Sequence, residues 1–178
     1  TGVLYGKRKW LDAMPPYMGG GEMVGTVSFK ETTYAPLPLK FEAGTQNFAA
    51  VATYVPALET LNMLADKAVE GEYEAVKKYV YDALSNDPRV RIYGVPCGTL
   101  QEKTALFSFT VEGVHHENLA LILDKMGVAV RSAQMCAEPL MDRYGVSGML
   151  RISIAPYNTL EEAEYFVKCL NKAIGMLV

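Results

Sequence analysis

Three side chains able to do chemistry crowd into one phrase of this 178-residue chain, RSAQMCAEPLMDRYGVSGMLR, which runs from Arg131 through Cys136 to Arg151. Cys136 follows a strand that ends at Arg131 and precedes Pro139, which suits the first turn of a short helix. The thiol therefore belongs to a connector. A helix N-terminus and nearby arginines place positive potential where a thiolate would form, which is how a nucleophilic cysteine is prepared. A plain loop cysteine fits the same pattern. Arg151 stands inside MLRISI, a strand-like run, and a guanidinium projecting from a strand can grip a carboxylate with two parallel hydrogen bonds. The alternative is an edge-strand arginine facing water. Upstream, FEAGTQN sets Thr45 and Asn47 just before a helical run, where a hydroxyl and free amides can hold a phosphate. A simple helix cap at Thr45 accounts for it equally well.

Other reactive types read as structural. Cys169 falls on the apolar face of the last helix and reads as a small core residue. Cys97, in GVPCG, occupies a turn without a basic neighbour. His115 and His116 precede a helix as turn and cap residues, and no third ligand stands at metal-binding spacing, so no metal is expected.

The elements that must position these residues follow from periodicity. GVLYG reads as a strand leading into an irregular loop rich in Pro and Gly. Thr26 to Phe41 should be extended, with Pro36 and Pro38 excluding a central strand. Up to Asn47 there is too little periodic apolar sequence for an independent core. Helical spacing then carries Val51, Tyr54, Val55, Leu58, Leu61 and Leu64, with Pro56 starting or kinking the helix. A second helix follows with Tyr73, Val76, Val80 and Leu84 on its stripe and Asp87-Pro88 at its end. VRIYG and TALFSFTVEG predict strands, and Leu119 to Met126 a helix stopped by Gly127. VAV and MLRISI predict two more strands. Thr159 and Glu162 have the spacing of a capping box that opens the last helix.

Composition narrows the class of protein. Half of the residues are apolar, and 17 basic against 20 acidic side chains give a net charge of -3 without a basic stripe, so nucleic acid is not an expected partner. Three widely spaced cysteines argue for reduced thiols and against a disulfide framework. Neither a signal peptide nor a membrane-spanning apolar run is evident, and the cytoplasm is the expected location. The opening Thr1 suggests a chain that begins in the middle of something larger.

The phrases TGVLYGK, GGGEMV, FEAGT-x-N, VRSAQMCAEPLM and R-x-S-x-A-x-YNT stand in the order found in cysteine desulfurases of the sulfur-mobilising type, a group that includes the selenocysteine lyases. The chain resembles the C-terminal portion of such an enzyme over essentially its whole length. That resemblance implies an α/β fold: the small α/β-sandwich domain of an aminotransferase-fold enzyme, residues 48–178, preceded by a strand and interface loop of the large domain, residues 1–47. It implies pyridoxal phosphate as cofactor, a homodimer, L-cysteine or L-selenocysteine as substrate, and a sulfur-acceptor protein, with no nucleic acid or membrane. By the same resemblance Cys136 accepts sulfur as a persulfide, Arg151 grips the substrate carboxylate with Arg131 in support, and Thr45 contacts the cofactor phosphate across the dimer interface. In such chemistry the cofactor is the electron sink, while the protein supplies the thiolate and the carboxylate anchor. The chain departs from the family at Gln134 and Met135, where histidines are common before the cysteine, and at Gln46, a common proline. The family's cofactor lysine lies upstream of the first matched phrase, so this chain alone is expected to be inactive. A sulfur-carrier module that uses Cys136 without cofactor is the alternative. Relatives of the same fold such as kynureninases or epimerases are disfavoured by Cys136 in its motif.

Overall fold

In the computed structural model, which describes residues 2–94, 100 and 103–178, the chain divides into two units, Thr1–Leu61 and Asn62–Val178. Cys97 and its turn lie outside the described residues. The first unit holds helix α1 (Arg8–Ala13), strands β1 (Val24–Val27) and β2 (Thr32–Tyr34), a 3-10 turn at Leu39–Phe41, helix α2 (Phe48–Ala52) and most of helix α3 (Tyr54–Leu64). The strand expected in GVLYG is not formed: residues 2–7 are irregular and α1 follows within what reads as loop. This apolar run pairs with no strand among the described residues, and pairing is what makes a strand. β1 and β2 make an antiparallel hairpin, tied by Thr26 and Thr33, whose hydroxyls lie 3.0 Å apart. Lys40 Nζ donates to the carbonyls of Leu11 and Asp12 at the end of α1, which satisfies acceptors that a helix terminus leaves open.

Pro36 and Pro38 fall outside both strands of the hairpin, as their missing amides require. Among the described residues of this unit only Met23 is buried. The apolar stripe of α3 forms as a helix, with Pro56 in its first turn, yet Val55, Leu58, Leu61 and Met63 are all exposed.

The second unit is built on helix α4 (Lys67–Asn86), strands β3 (Val90–Tyr93) and β4 (Leu106–Val111), helix α5 (His116–Lys125), strand β5 (Arg131–Ala133), helix α6 (Glu138–Tyr144), strand β6 (Met149–Ser153) and helix α7 (Leu160–Leu177). The four strands form one antiparallel sheet in the order β3-β4-β6-β5. Alternation along β4 sends Phe107, Phe109 and Val111 to one face, where they meet Leu150 and Ile152 of β6 and the apolar stripes of α4, α5 and α7. Val80, Leu84, Leu119, Leu123 and Ile174 are fully sealed in this core. α7 opens with the expected capping box: Thr159 Oγ1 accepts from the Glu162 amide while the Glu162 carboxylate accepts from the Thr159 amide.

Two strand expectations shift. VAV, residues 128–130, is irregular, and the strand begins at Arg131 instead of ending there. The register explains the slip, because only residues 131–133 have partners on β6. No described helix is long and apolar enough to cross a membrane.

Candidate functional site

Strand parity gives the sheet a second face, and the site residues of the second unit lie there. Tyr93, Ser108, Arg151 and Arg131 form one transverse row, since Tyr93 pairs with Ser108, Ser108 with Arg151, and Arg151 with Arg131. Side chains of directly paired residues point to the same face. Arg151 therefore sits on an interior strand, not an edge, and the edge-strand alternative for it fails. Its side chain is half-buried, and its Nε is buried without a hydrogen-bond partner. Arg131, directly across, is exposed. Like charges facing each other across a strand pair cost roughly 0.2–1 kcal/mol, and among the described residues neither guanidinium has a carboxylate partner. A guanidinium without a carboxylate partner keeps its planar fork free for an anion.

Cys136 follows β5 by a tight turn in which the Ala137 amide donates to the Gln134 carbonyl at 3.0 Å. The thiol is free and exposed, whereas Cys169 is buried in the main core. The backbone of this turn is unusual: Ala133, Met135 and Cys136 have φ of 90°, 56° and 60°. Non-glycine residues in the left-handed region cost about 1–2 kcal/mol each unless their surroundings hold them. α6 follows with Pro139 in its first turn, as expected, and ends in Gly145 at φ 70°.

Thr45 belongs to the first unit. The helix there is capped by Asn47, whose side chain accepts from the Ala50 amide, so a capping role does not explain Thr45. Thr45 instead lines a cleft of ≈ 300 Å³ with Tyr17, Met18, Phe41, Gly44 and Asn47. Its floor is tightly made: the Gly44 amide donates to the Gly21 carbonyl at 2.9 Å, and a Cβ on Gly20 would lie 3.0 Å from the Gly44 nitrogen.

His115 caps α5 and stacks on His116 at 4.4 Å between ring centroids. Burial, then the neighbouring His115, holds the His116 imidazole below the usual histidine range. A cavity of ≈ 720 Å³ beside α7, lined by Val76, Val80, Ile154 and Phe166 among others, contains none of the site residues.

Sequence reasoning found Cys136, Arg131 and Arg151 singly but not the row that joins the arginines to Ser108 and Tyr93. Alternation marks which strand residues share a face; only pairing register says which stand opposite each other, and a single sequence does not encode that directly.

The second unit thus combines a four-stranded antiparallel sheet, two paired arginines and an exposed cysteine on the loop that follows the edge strand β5. The family model for aminotransferase class-V matches residues 1–166, and the chain belongs to that family. More narrowly, it is similar to a probable cysteine desulfurase of Vibrio cholerae serotype O1, with 43% identity over 99% of this chain and 42% of that protein. It is likewise 38% identical to the cysteine desulfurase CsdA of Escherichia coli, over 99% of this chain and 43% of CsdA. The crystal structure of CsdA in an S-sulfonic acid form superposes with a TM-score of 0.85, covering 98% of this chain and 42% of that one. The apo cysteine desulfurase of Thermococcus onnurineus NA1, 28% identical, gives 0.84 over 95% of this chain and 42% of that one. The chain thus spans about two fifths of the length of the curated relatives it matches.

Proposed function

We propose that this chain is the C-terminal portion of a cysteine desulfurase, with residues 1–47 from the large domain and its interface loop and residues 48–178 forming the small domain. The observation that carries the reading is the pairing of Arg131 with Arg151, one short turn away from an exposed Cys136. Arg151 binds the carboxylate of L-cysteine through its planar fork, and Arg131 lends charge from the neighbouring strand. Cys136, as thiolate, attacks the sulfur of the bound substrate. A sulfur–sulfur bond forms and the substrate's carbon–sulfur bond breaks, its electron pair staying on carbon. That carbon takes up a proton and leaves as the methyl of alanine. The sum is cysteine plus enzyme thiol giving alanine plus enzyme persulfide, with no external oxidant.

Pyridoxal phosphate, the cofactor of this class, supplies the electron sink that makes the carbon–sulfur bond labile. The residues present fit one edge of its phosphate: Thr45 offers an exposed hydroxyl, and the amides of Thr45 and Gln46 donate to no described carbonyl. Thr45 would hold that phosphate from the partner subunit's side of a homodimer. On this reading the cofactor's covalent lysine belongs to another part of the parent protein, and alanine formation is a property of that whole protein. Delivery of the persulfide sulfur to an acceptor protein, including for iron–sulfur cluster assembly, and a cytoplasmic location complete the proposal.

The test is alanine formation from L-cysteine by the full-length parent. Cys136→Ala should abolish it while cofactor absorbance remains. Full activity of that variant with cysteine would overturn the sulfur-acceptor role, and activity retained only with L-selenocysteine would move the protein to the lyase reading. Cysteine-derived persulfide on Cys136 without pyridoxal phosphate would favour the carrier reading.

A further inference from the structure

The left-handed turn around Cys136 does not hold itself. L-residues at positive φ relax to the right-handed or extended basins unless their neighbours prevent it. Ala133 is fixed by its place opposite Met149 on β6. The next apolar side chain, Met135, is half-buried and packs on a cluster of Tyr93, Met141 and Met149 together with Tyr144 and Val146. This cluster is separate from the main core and lies on the arginine face of the sheet, where β3, β6 and α6 meet. Its walls are fixed: the Tyr93 hydroxyl lies 3.1 Å from Thr110 Oγ1, and its ring meets that of Tyr144 edge-on at 5.0 Å. Two consecutive residues of the turn thus diverge, Met135 into this socket and Cys136 out to solvent.

We infer that Met135 is a positioning residue for Cys136: its seat among Tyr93, Met141 and Met149 holds the turn in the conformation that presents the thiol outward. The inference rests on the reading of Cys136 as sulfur acceptor and deepens it. An unbranched thioether adapts to a socket walled by tyrosines and methionines, and leucine is close enough in volume to replace it. Alanine leaves the socket empty, and glutamine keeps the length but brings an amide that the apolar walls cannot satisfy.

The experiment uses the full-length parent with Met135→Leu, Met135→Ala and Met135→Gln, and Cys136→Ser as control. Three quantities are read: the carbon-13 methyl spectrum of the methionines, the rate of Cys136 alkylation by iodoacetamide, and kcat with KM for cysteine. In the unaltered protein the Met135 methyl should be shifted by the rings of Tyr93 and Tyr144. Met135→Ala and Met135→Gln should slow alkylation severalfold and lower kcat by about 10- to 100-fold, the scale of a small misplacement of a reacting group. KM should stay within about twofold, because β6 holds Arg151 independently of this turn. Met135→Leu should restore both rates. Alkylation and kcat unchanged in Met135→Ala and Met135→Gln would overturn the inference, as would a Met135→Leu variant impaired as badly as the other two. If Met135→Ala does not fold, Met135→Gln and Met135→Leu decide by the same criteria. Persistent activity of Cys136→Ser would instead defeat the sulfur-acceptor reading, while alkylation and the methyl spectrum would still judge Met135.

Discussion

Exposure separates the described cysteines, since Cys136 is exposed and Cys169 lies on the buried face of α7. Alkylation under limiting reagent followed by peptide mapping should therefore label Cys136 before Cys169; the reverse order would show that the turn hides its thiol in solution. Arg151 makes a sharper prediction. A bidentate charge-assisted contact is worth roughly 1.5–3 kcal/mol, so Arg151→Ala in the full-length parent should raise KM for cysteine by about 10- to 100-fold. Arg151→Lys should recover only part of this, because an ammonium offers no fork. An unchanged KM in both would remove Arg151 from substrate binding. The residue types of this site are visible in the sequence, where Cys136 stands on a connector between Arg131 and Arg151, but the same pattern fits a plain loop cysteine. Its geometry was not: the unpartnered Arg151 Nε and the socket under Met135 depend on which strands lie side by side.

Elements whose own sequence dictates them form as expected. α7 carries both its capping box and its stripe of Phe166, Cys169, Leu170, Ala173 and Ile174 within one continuous segment. Residues 2–7 and 128–130 also hold apolar side chains, but they pair with no strand among the described residues and do not become strands. Gly148, between α6 and β6, is a glycine for packing reasons. A Cβ there would collide with the imidazole of His116. At the start of α5, that imidazole sets a pH dependence. His116 is held below the ordinary histidine range by burial and by His115, with Glu117 opposing. The unfolded chain therefore binds its proton first as pH falls. Stability is fully present above the unfolded value, near 6.5, and is lost as pH drops through the folded one. Chemical denaturation across about pH 5 to 7 should show this slope, and His116→Gln should flatten it. A slope that survives the substitution would assign it to other groups.

At the scale of the molecule the two units differ in kind. The second unit seals Phe107, Phe109, Leu123 and Ile174 against water, and removing one such side chain, as in Leu123→Ala, should cost about 2–5 kcal/mol. Among its described residues the first unit has only Met23 inside, while Tyr5, Trp10, Tyr17 and Phe29 stand in solvent, Phe29 completely. Apolar surface of that extent is ordinarily covered by other protein, and burial of one methionine cannot offset the entropy of ordering some sixty residues at roughly 1–2 kcal/mol each. Hydrogen exchange of the 178-residue chain should accordingly show slow amides in α4, α5, α7 and the four-stranded sheet, and fast exchange in the first unit. In the full-length parent the same first-unit amides should become protected, because the covering surface is then in place. Slow exchange through β1, β2 and α2 in a monomer of the short chain would show instead that this unit is stable on its own contacts. Protection that appears only as the chain concentration rises would place a second copy of the short chain on those exposed aromatic residues.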